Sequence, residues 1–296
     1  MNKTMHKSLV GLPGLFLALS VNAAEINESI DAAPDGHVDI INIAGSVEVY
    51  GWSRNTVEVT GELGDKVEEL IVERNGDKVL VKVKVPRNNS GKIASDLVVR
   101  LPAASSIDVS AVSADIDCED VTGEQKLHTV SGDVDTEVAG NDFAVETVSG
   151  DVEVTGVGQD AEATANTVSG DVTLFRVAGA VSAETVSGDV TIDEGSFDRA
   201  MLHTVNGDVI FQAELRKGGK LTLETINGDV DVRFAGKVSA KFEIETFNGD
   251  IDSCFGPKPE RTSKYAPGLE LSFTEGDGDG RVIMSTLNGD MSICNK

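Results

Sequence analysis

The sequence predicts an all-β protein: a parallel β-solenoid of about 20 residues per rung, preceded by a β-rich N-terminal region that contains a hairpin. Three observations predict this fold. A motif of the form Thr-apolar-Ser/Asn-Gly-Asp-apolar recurs eight times, apolar and polar residues alternate with period two, and helical periodicity is absent after residue 23. A repeat of about 20 residues cannot bury its own apolar face, so neighbouring copies have to stack.

The motif copies follow one another at spacings of 18, 20, 18, 19, 21, 21 and 40 residues. Alternation on both sides of the glycine gives each copy two short strands with one buried face, and the glycine lets the chain turn between them. We expect both apolar residues of a copy to stack in one core. The copies begin at Thr129, Thr147, Thr167, Thr185, Thr204, Thr225, Thr246 and Thr286. The valines assigned to the core are Val130, Val134, Val148, Val152, Val168, Val172, Val186, Val190, Val205 and Val209.

The region before the repeat, residues 24–108, is expected to be β-rich and to cap the solenoid or continue it. Within it, Asn75-Gly76 stands between two alternating segments, which is the strongest local signal for a hairpin. The solenoid is assigned to residues 109–296 and begins with a degenerate copy in which Ala114 replaces the glycine. Residues 255–281 interrupt the pattern. We interpret them as an insertion that covers the open C-terminal rung, because a solenoid needs capped ends.

The first 23 residues have the order of a secretory signal peptide. Basic residues come first, an apolar stretch runs from Leu9 to Leu19, and small residues precede Ala24. The apolar stretch is too short to span a bilayer comfortably, and no later segment approaches a membrane span. The mature protein is therefore expected to be exported, either to the periplasm or out of the cell.

The chain is strongly acidic. Its formal net charge is −25, and loss of the two lysines in the leader takes the mature chain to −27. Such a charge repels nucleic acid and anionic lipid surfaces and attracts cations or basic partners. Aromatic residues make up only 4% of the chain, with a single tryptophan, so platforms for stacking carbohydrate are scarce. Composition thus argues against nucleic-acid binding.

Three features in order resemble one known family. They are the TVSGDV copies, the preceding DLVVRLP segment at residues 96–102, and the GDGDG element at residues 276–280. Together they resemble the bacterial β-strand-repeat family of unknown function 4097, often labelled "putative adhesin". The resemblance covers nearly all of the mature chain and implies an exported or envelope-facing β-solenoid. It carries over no catalytic residues.

The motif aspartates form the most interesting set of polar residues. In a parallel stack they would lie about 4.8 Å apart along one edge, where like charges repel. Three arrangements would offset that repulsion: hydration and screening suffice, each carboxylate accepts an N–H of its own turn, or the column holds cations such as Ca²⁺. Local capping is the preferred interpretation, and no other metal or cofactor is expected. The residues are Asp133, Asp151, Asp171, Asp189, Asp208, Asp229, Asp250 and Asp290.

The three cysteines give one specific prediction. Cys254 and Cys294 each lie five residues after the glycine of a motif copy, so they occupy equivalent positions in the last two copies. If the 40-residue gap between those copies is a looped-out insertion, their rungs are adjacent and their Cα atoms fall within disulfide range. An oxidising compartment favours the bond. Cys118, at a core-facing position, is expected to remain a buried thiol.

These observations favour a non-enzymatic, exported envelope or surface protein that acts as an adhesin-like binding or structural β-solenoid. Its partner would be an envelope or surface protein or a glycan. The alternative is a polysaccharide-active β-helix enzyme that uses clustered aspartates. Three points argue against the enzyme: aromatic residues are few, basic residues are few in the repeat region, and the sequence identifies no acid with a raised pKa in a cleft.

Overall fold

The computed structural model describes residues 24–86, 92–263 and 267–296, and the predicted signal peptide at residues 1–23 lies outside them. The all-β prediction is confirmed: this part of the chain forms 25 strands of one sheet and no helix. It therefore contains no helix with the length and hydropathy of a membrane span. The sheet has mixed orientation, with parallel pairing through the motif copies and antiparallel pairing near both ends of the chain.

Nine strands precede the strand that leads into the first complete motif copy. They are β1 (Ala24–Asp31), β2 (His37–Ile41), β3 (Ala44–Trp52), β4 (Thr56–Leu63), β5 (Glu69–Asn75), β6 (Lys78–Lys84), β7 (Ser95–Pro102), β8 (Ser106–Ser110) and β9 (Ser113–Glu119). The antiparallel pair β5–β6 is the predicted hairpin, and its turn contains Gly76 with a φ of +65°. Strands β2 and β3 pair in parallel with β8 and β9, so the N-terminal region continues into the repeat.

Sixteen strands follow. They are β10 (Gln125–His128), β11 (Val134–Val138), β12 (Phe143–Glu146), β13 (Val152–Gly156), β14 (Asp160–Asn166), β15 (Val172–Phe175), β16 (Ala178–Glu184), β17 (Val190–His203), β18 (Val209–Glu224), β19 (Val230–Phe234), β20 (Ala240–Asn248), β21 (Ile251–Ser253), β22 (Glu260–Arg261), β23 (Leu269–Glu275), β24 (Gly280–Asn288) and β25 (Met291–Asn295). We use the word layer for one motif copy together with the strand before it and the strand after it. The long strands β17 and β18 each end one layer and begin the next.

Parallel pairing places equal motif positions of neighbouring layers beside each other. Val152, after the glycine of its own copy, pairs with Val134 on one side and Val172 on the other. Before the glycine, Val145 pairs with Leu127 and Ala165 in the same way. Side chains of equal register therefore form columns that run from layer to layer.

The layers do not follow chain order at either end. Near the N-terminus, β3 lies between β7 and β9. The layer that comes first in the chain is therefore the second layer in space. Near the C-terminus, β25 lies between β19 and β21, so the last motif copy is inserted before the Thr246 copy. Antiparallel strands cover the outermost layer at each end: β4 pairs with β7 and β5 with β6 at one end, and β23 pairs with β20 at the other. Strand β23 belongs to the predicted insertion, but the layer it covers is the penultimate one in sequence.

The prediction for the core is half right. The valine after each motif aspartate is buried, with exposed fractions of at most 1% for Val134, Val152 and Val172. The valine after each motif threonine is not: Val130 and Val148 are 47% and 45% exposed. Val168 and Val186 are exposed as well, and Val205 is half-buried. The reason is that period-two alternation continues through the threonine, which faces inward and turns the next residue outward.

The cysteines occupy the predicted positions. Cys254 and Cys294 form a disulfide with Cα atoms 5.0 Å apart, and it joins the ends of the adjacent strands β21 and β25. Cys118 is a free thiol, fully buried on β9, and burial raises its pKa to about 12. At neutral pH this thiol is therefore protonated and packs as a small apolar side chain.

Candidate functional site

The motif corner is the turn between the two strands of a layer, and close backbone approach defines it. Gly170 has a φ of +148°, and a Cβ atom built on it would lie 2.1 Å from the carbonyl oxygen of Gly150 in the preceding layer. The same contact recurs at Gly188, where the distance to the Gly170 oxygen would be 2.0 Å. Glycine is required at these two corners because the backbones of successive layers leave no room for a side chain.

The motif threonine anchors each corner from the inside. Thr185 and Thr204 are buried, and their hydroxyl groups donate to the carbonyl oxygens of Gly170 and Gly188 at 3.0 and 2.9 Å. All eight motif threonines make the equivalent bond to the layer before them in space. The hydroxyl satisfies a carbonyl next to the core, which supports a structural role for this column.

The eight predicted aspartates are brought together in one column, the aspartate ladder. The N–H of each donates to Oδ1 of the aspartate one layer away, for example Asp171 to Asp151 at 2.8 Å and Asp208 to Asp189 at 2.7 Å. The bonds run between layers, so the expectation that each carboxylate caps its own turn is wrong. Parallel stacking brings the next layer's N–H within reach of the carboxylate, and a charge-assisted bond offsets part of the repulsion along the column.

The same ladder confirms the order of the last layers. The N–H of Asp290 donates to Asp229, and the N–H of Asp250 donates to Asp290. A column of asparagines beside it repeats this order, with Nδ2 of Asn288 donating to Oδ1 of Asn227 at 2.8 Å and Nδ2 of Asn248 donating to Asn288 at 2.9 Å. Backbone and side-chain bonds thus both hold the last motif copy between two earlier ones.

The residue before the Ser/Asn column is apolar and exposed. We call this column the apolar stripe. It contains eight of the ten large apolar side chains that are exposed in the described part of the chain. Their exposed fractions lie between 41% and 48%. In spatial order the stripe is Val112, Val130, Val148, Val168, Val186, Val205, Ile226, Leu287 and Phe247, with Val205 half-buried.

Acidic residues flank the apolar stripe on both sides. The aspartate ladder lies three residues further along the chain. On the other side, the position before the threonine holds four exposed glutamates: Glu146, Glu184, Glu224 and Glu245. Sequence reasoning missed the stripe because it assigned these apolar residues to the core. Alternation counted from Leu127 or Val145, both buried, would have turned Val130 and Val148 outward.

Two acidic hollows lie along the ladder. One, of about 370 Å³, is lined by carboxylates that include Asp229, Asp231, Asp250 and Asp290. The other, of about 330 Å³, contains Asp117. Asp117 pairs with Glu48 on one side and Asp135 on the other, so three carboxylates lie in a row across three strands. Burial, together with Glu119, Asp135 and Glu48, raises the pKa of the Asp117 carboxyl above its ordinary value of 3.8.

The raised pKa gives a prediction for the substitution Asp117→Asn. A carboxyl whose folded pKa lies above its unfolded value destabilises the fold wherever it is ionised, and this penalty is lost as the pH falls through the folded pKa. We expect Asp117→Asn to raise the melting temperature at pH 7 and to leave it unchanged below about pH 3.5. Thermal melts across this range, with the exposed turn variant Asp65→Asn as control, check it. A larger gain at low pH than at pH 7 would contradict it.

The calcium alternative for the ladder stays a prediction. No group of three or more His, Cys, Asp or Glu side chains within residues 24–86, 92–263 and 267–296 is arranged to hold a metal ion. If the ladder does bind Ca²⁺, millimolar CaCl₂ should raise the melting temperature by mass action. NaCl at matched ionic strength is the control, because salt alone screens the repulsion between the carboxylates. An equal shift of the melting temperature in both salts would rule out a specific cation site.

Sequence comparison identifies the family. The sequence model of the Toastrack DUF4097 family matches residues 38–294, which is most of the chain and includes all eight motif copies. The chain belongs to this Toastrack family. The resemblance found in the sequence is therefore confirmed. No curated protein gives a significant match.

Solved structures similar to this Toastrack protein are distant in sequence. A "putative adhesin" from Bacteroides fragilis NCTC 9343 is 10% identical, covers 92% of this chain and 97% of its own, and has a TM-score of 0.44. A "putative adhesin" from Parabacteroides distasonis ATCC 8503 is also 10% identical, covers 92% of this chain and 98% of its own, and has a TM-score of 0.44. A "putative cell adhesion protein" from Clostridium sporogenes ATCC 15579 is 10% identical, covers 92% of this chain and 100% of its own, and has a TM-score of 0.24.

Proposed function

We propose that this Toastrack protein is a non-enzymatic, exported β-solenoid that acts as an adhesin-like binding or structural module of the cell envelope. The observation that carries the proposal is the repetition of one surface along the molecule. Each layer presents an apolar residue, a Ser or Asn and an aspartate in the same order, so the columns offer an extended surface. Repeat proteins use such extended surfaces to bind other macromolecules.

Export is part of the proposal. The signal-peptide pattern of residues 1–23 and the Cys254–Cys294 disulfide both fit an oxidising compartment outside the cytoplasm. Cell fractionation of the full-length protein, followed by mass determination of the mature N-terminus, tests it. A mature chain that begins at Ala24 in the periplasmic or secreted fraction supports export. An uncleaved chain in the cytoplasm refutes it.

Binding to envelope material is the direct test of the function. Purified mature protein would be incubated with sedimentable envelope preparations and with isolated envelope glycans, and both bound protein and product release would be measured. Saturable co-sedimentation without new reducing ends or unsaturated sugars supports a binding module. Turnover of any glycan would refute the non-enzymatic proposal, whereas loss of co-sedimentation in 0.5 M NaCl would show that charge carries the binding.

The alternative, a polysaccharide-active enzyme, has one observation in its favour. Asp117 lies beside other carboxyl groups in a hollow and burial raises its pKa, and glycosidases use a pair of carboxyl groups in which the pKa of the general acid is raised. Asp135, paired with Asp117 on the neighbouring strand, would then supply the second carboxyl group. If any glycan is cleaved, Asp117→Asn should abolish turnover while Asp65→Asn leaves it unchanged.

A further inference from the structure

The apolar stripe places large apolar side chains in nine consecutive layers, and all of them except Val205 are exposed. A contiguous exposed apolar surface with a polar rim marks an interaction site more often than an isolated exposed residue does. Val157 is 59% exposed but lies outside the stripe, so it is an example of an isolated exposed apolar residue. The stripe differs because its members stack at one register, through the backbone bonds that link the N–H of Ser149 and Ser169 to the carbonyls of Val130 and Val148.

The dimensions of the stripe select the secondary structure of a partner. Nine layers span eight intervals of about 4.8 Å, or about 38 Å. Along an α-helix, apolar residues spaced alternately three and four apart recur every 5.2 Å or so, whereas same-side residues of an extended strand recur every 6.7 Å or so. The helix accumulates a mismatch of about 3 Å over the stripe and the strand about 15 Å. A helix of about 25 residues would cover the full length.

The charges beside the stripe indicate which residues should border the apolar face of that helix. The stripe lies between the aspartate ladder and the column that contains Glu146, Glu184, Glu224 and Glu245. Because aspartates run along one border of the stripe and four glutamates lie along the other among His, Asn and Ser residues, the stripe complements a helix whose apolar face is bordered by Lys or Arg. A second copy of this chain fits poorly, because either orientation would place the aspartate ladder against an acidic column of the other copy, its ladder or its glutamates.

We propose that the apolar stripe is a docking site for a basic amphipathic α-helix of another polypeptide. This inference deepens the proposed function, because it names the surface and the chemical class of the partner. The apolar face of the helix would cover the exposed valines, Ile226, Leu287 and Phe247. Its basic flanks would pair with the ladder and with the glutamates.

The probe is a synthetic helix titrated against the mature protein. A fluorescent 25-residue peptide carries Leu at the core positions of a heptad, Lys at the flanking positions and Ala elsewhere. One control peptide replaces every Lys with Glu, and a second has the same composition with Leu scattered. We expect saturable binding of the Lys peptide at 50 mM NaCl, measured by fluorescence anisotropy. Binding of both control peptides should be at least about tenfold weaker.

Variants of the protein locate the site. Val148→Thr/Val168→Thr/Val186→Thr removes three methyl groups from the stripe while keeping a β-branched residue at each position, and should weaken binding about tenfold or more. The matched control Val157→Thr, outside the stripe, should bind like the wild type. Asp151→Asn/Asp171→Asn/Asp189→Asn keeps the Oδ1 acceptor of each ladder bond but removes three charges, and should weaken binding and reduce its salt dependence.

Four results would overturn the inference: no binding of the Lys peptide, equal binding of the Glu peptide, a stripe variant that binds like Val157→Thr, or a dimer that the stripe variant abolishes. The last would assign the stripe to a second copy of the chain. Envelope co-sedimentation separates this failure from that of the proposed function. If the stripe variant still co-sediments with envelope material, the proposed binding function is retained and only the proposed helical partner is rejected.

Discussion

Replacing Gly170 with alanine is expected to lower the free energy of unfolding by about 3 kcal/mol or more. The new Cβ atom would lie 2.1 Å from the carbonyl oxygen and 2.6 Å from the carbonyl carbon of Gly150. Both are backbone atoms. The N–H of Gly150 donates to the carbonyl oxygen of Ser169, and the N–H of Gly170 donates to the carbonyl oxygen of Ser187, so these peptide units are bonded to neighbouring layers. Relief of the clash therefore has to separate two layers, which breaks parallel hydrogen bonds and opens the core below the corner.

The chain offers a matched control for this substitution. Gly236 also has a positive φ, +125°, but a Cβ atom built on it would meet no atom within 4 Å. Gly236→Ala thus measures the cost of a similar backbone conformation without close approach, which is about 2 kcal/mol. Urea unfolding followed by far-ultraviolet circular dichroism compares the two variants, with unchanged m values as the sign of an unchanged native state. Equal losses in both would show that conformation, and not close approach, requires the glycine.

The positions of strands and of the inner columns could be predicted from the sequence because they depend on local alternation. Phe143 and Val145 face inward and Glu146 outward, as the period-two pattern indicates. The same rule holds Val152 and Val154 in the core. Residues of this kind need no knowledge of neighbouring layers, since the side-chain direction follows from the strand itself.

The apolar stripe was mispredicted because two rules conflict at the motif threonine. Hydrophobicity places Val148 in the core, whereas alternation from Val145 places Thr147 inside and Val148 outside. The structure follows alternation, since the buried Thr147 donates its hydroxyl hydrogen to the carbonyl oxygen of Gly132. A polar residue on the inner face was the available signal, and it became meaningful only once its acceptor in the neighbouring layer was known.

Contacts between layers could not be read from one motif copy. The N–H of Asp171 bonds to Asp151, 20 residues earlier, and its own turn supplies no such partner. The order of the final layers is a second example: equal registers predict that Cys254 and Cys294 meet, but not that β25 lies inside β21. Register is encoded locally, whereas the choice of which equivalent layer comes next depends on the global packing of the chain ends.

Removing the disulfide is expected to have the second large effect. The double variant Cys254→Ser/Cys294→Ser frees a loop of 40 residues in the unfolded chain, which by chain entropy costs about 4 kcal/mol of stability. The bond also holds the outermost layer to the inserted one. Strand β21 has only three residues and pairs with β25 alone on its inner side, so without the bond its end should open first.

Three measurements test this expectation. Thiol titration of the unfolded, unreduced wild type should find one free thiol, that of Cys118, and three after reduction. Reduction of the folded wild type should lower its melting temperature to that of the double variant, while leaving the double variant unchanged. Backbone amides of β20 and β21 should exchange faster in the variant, whereas those of β13 and β15, in layers far from the bond, keep their protection. Three thiols before reduction, or uniform loss of protection through every layer, would contradict a bond that secures the C-terminal layers.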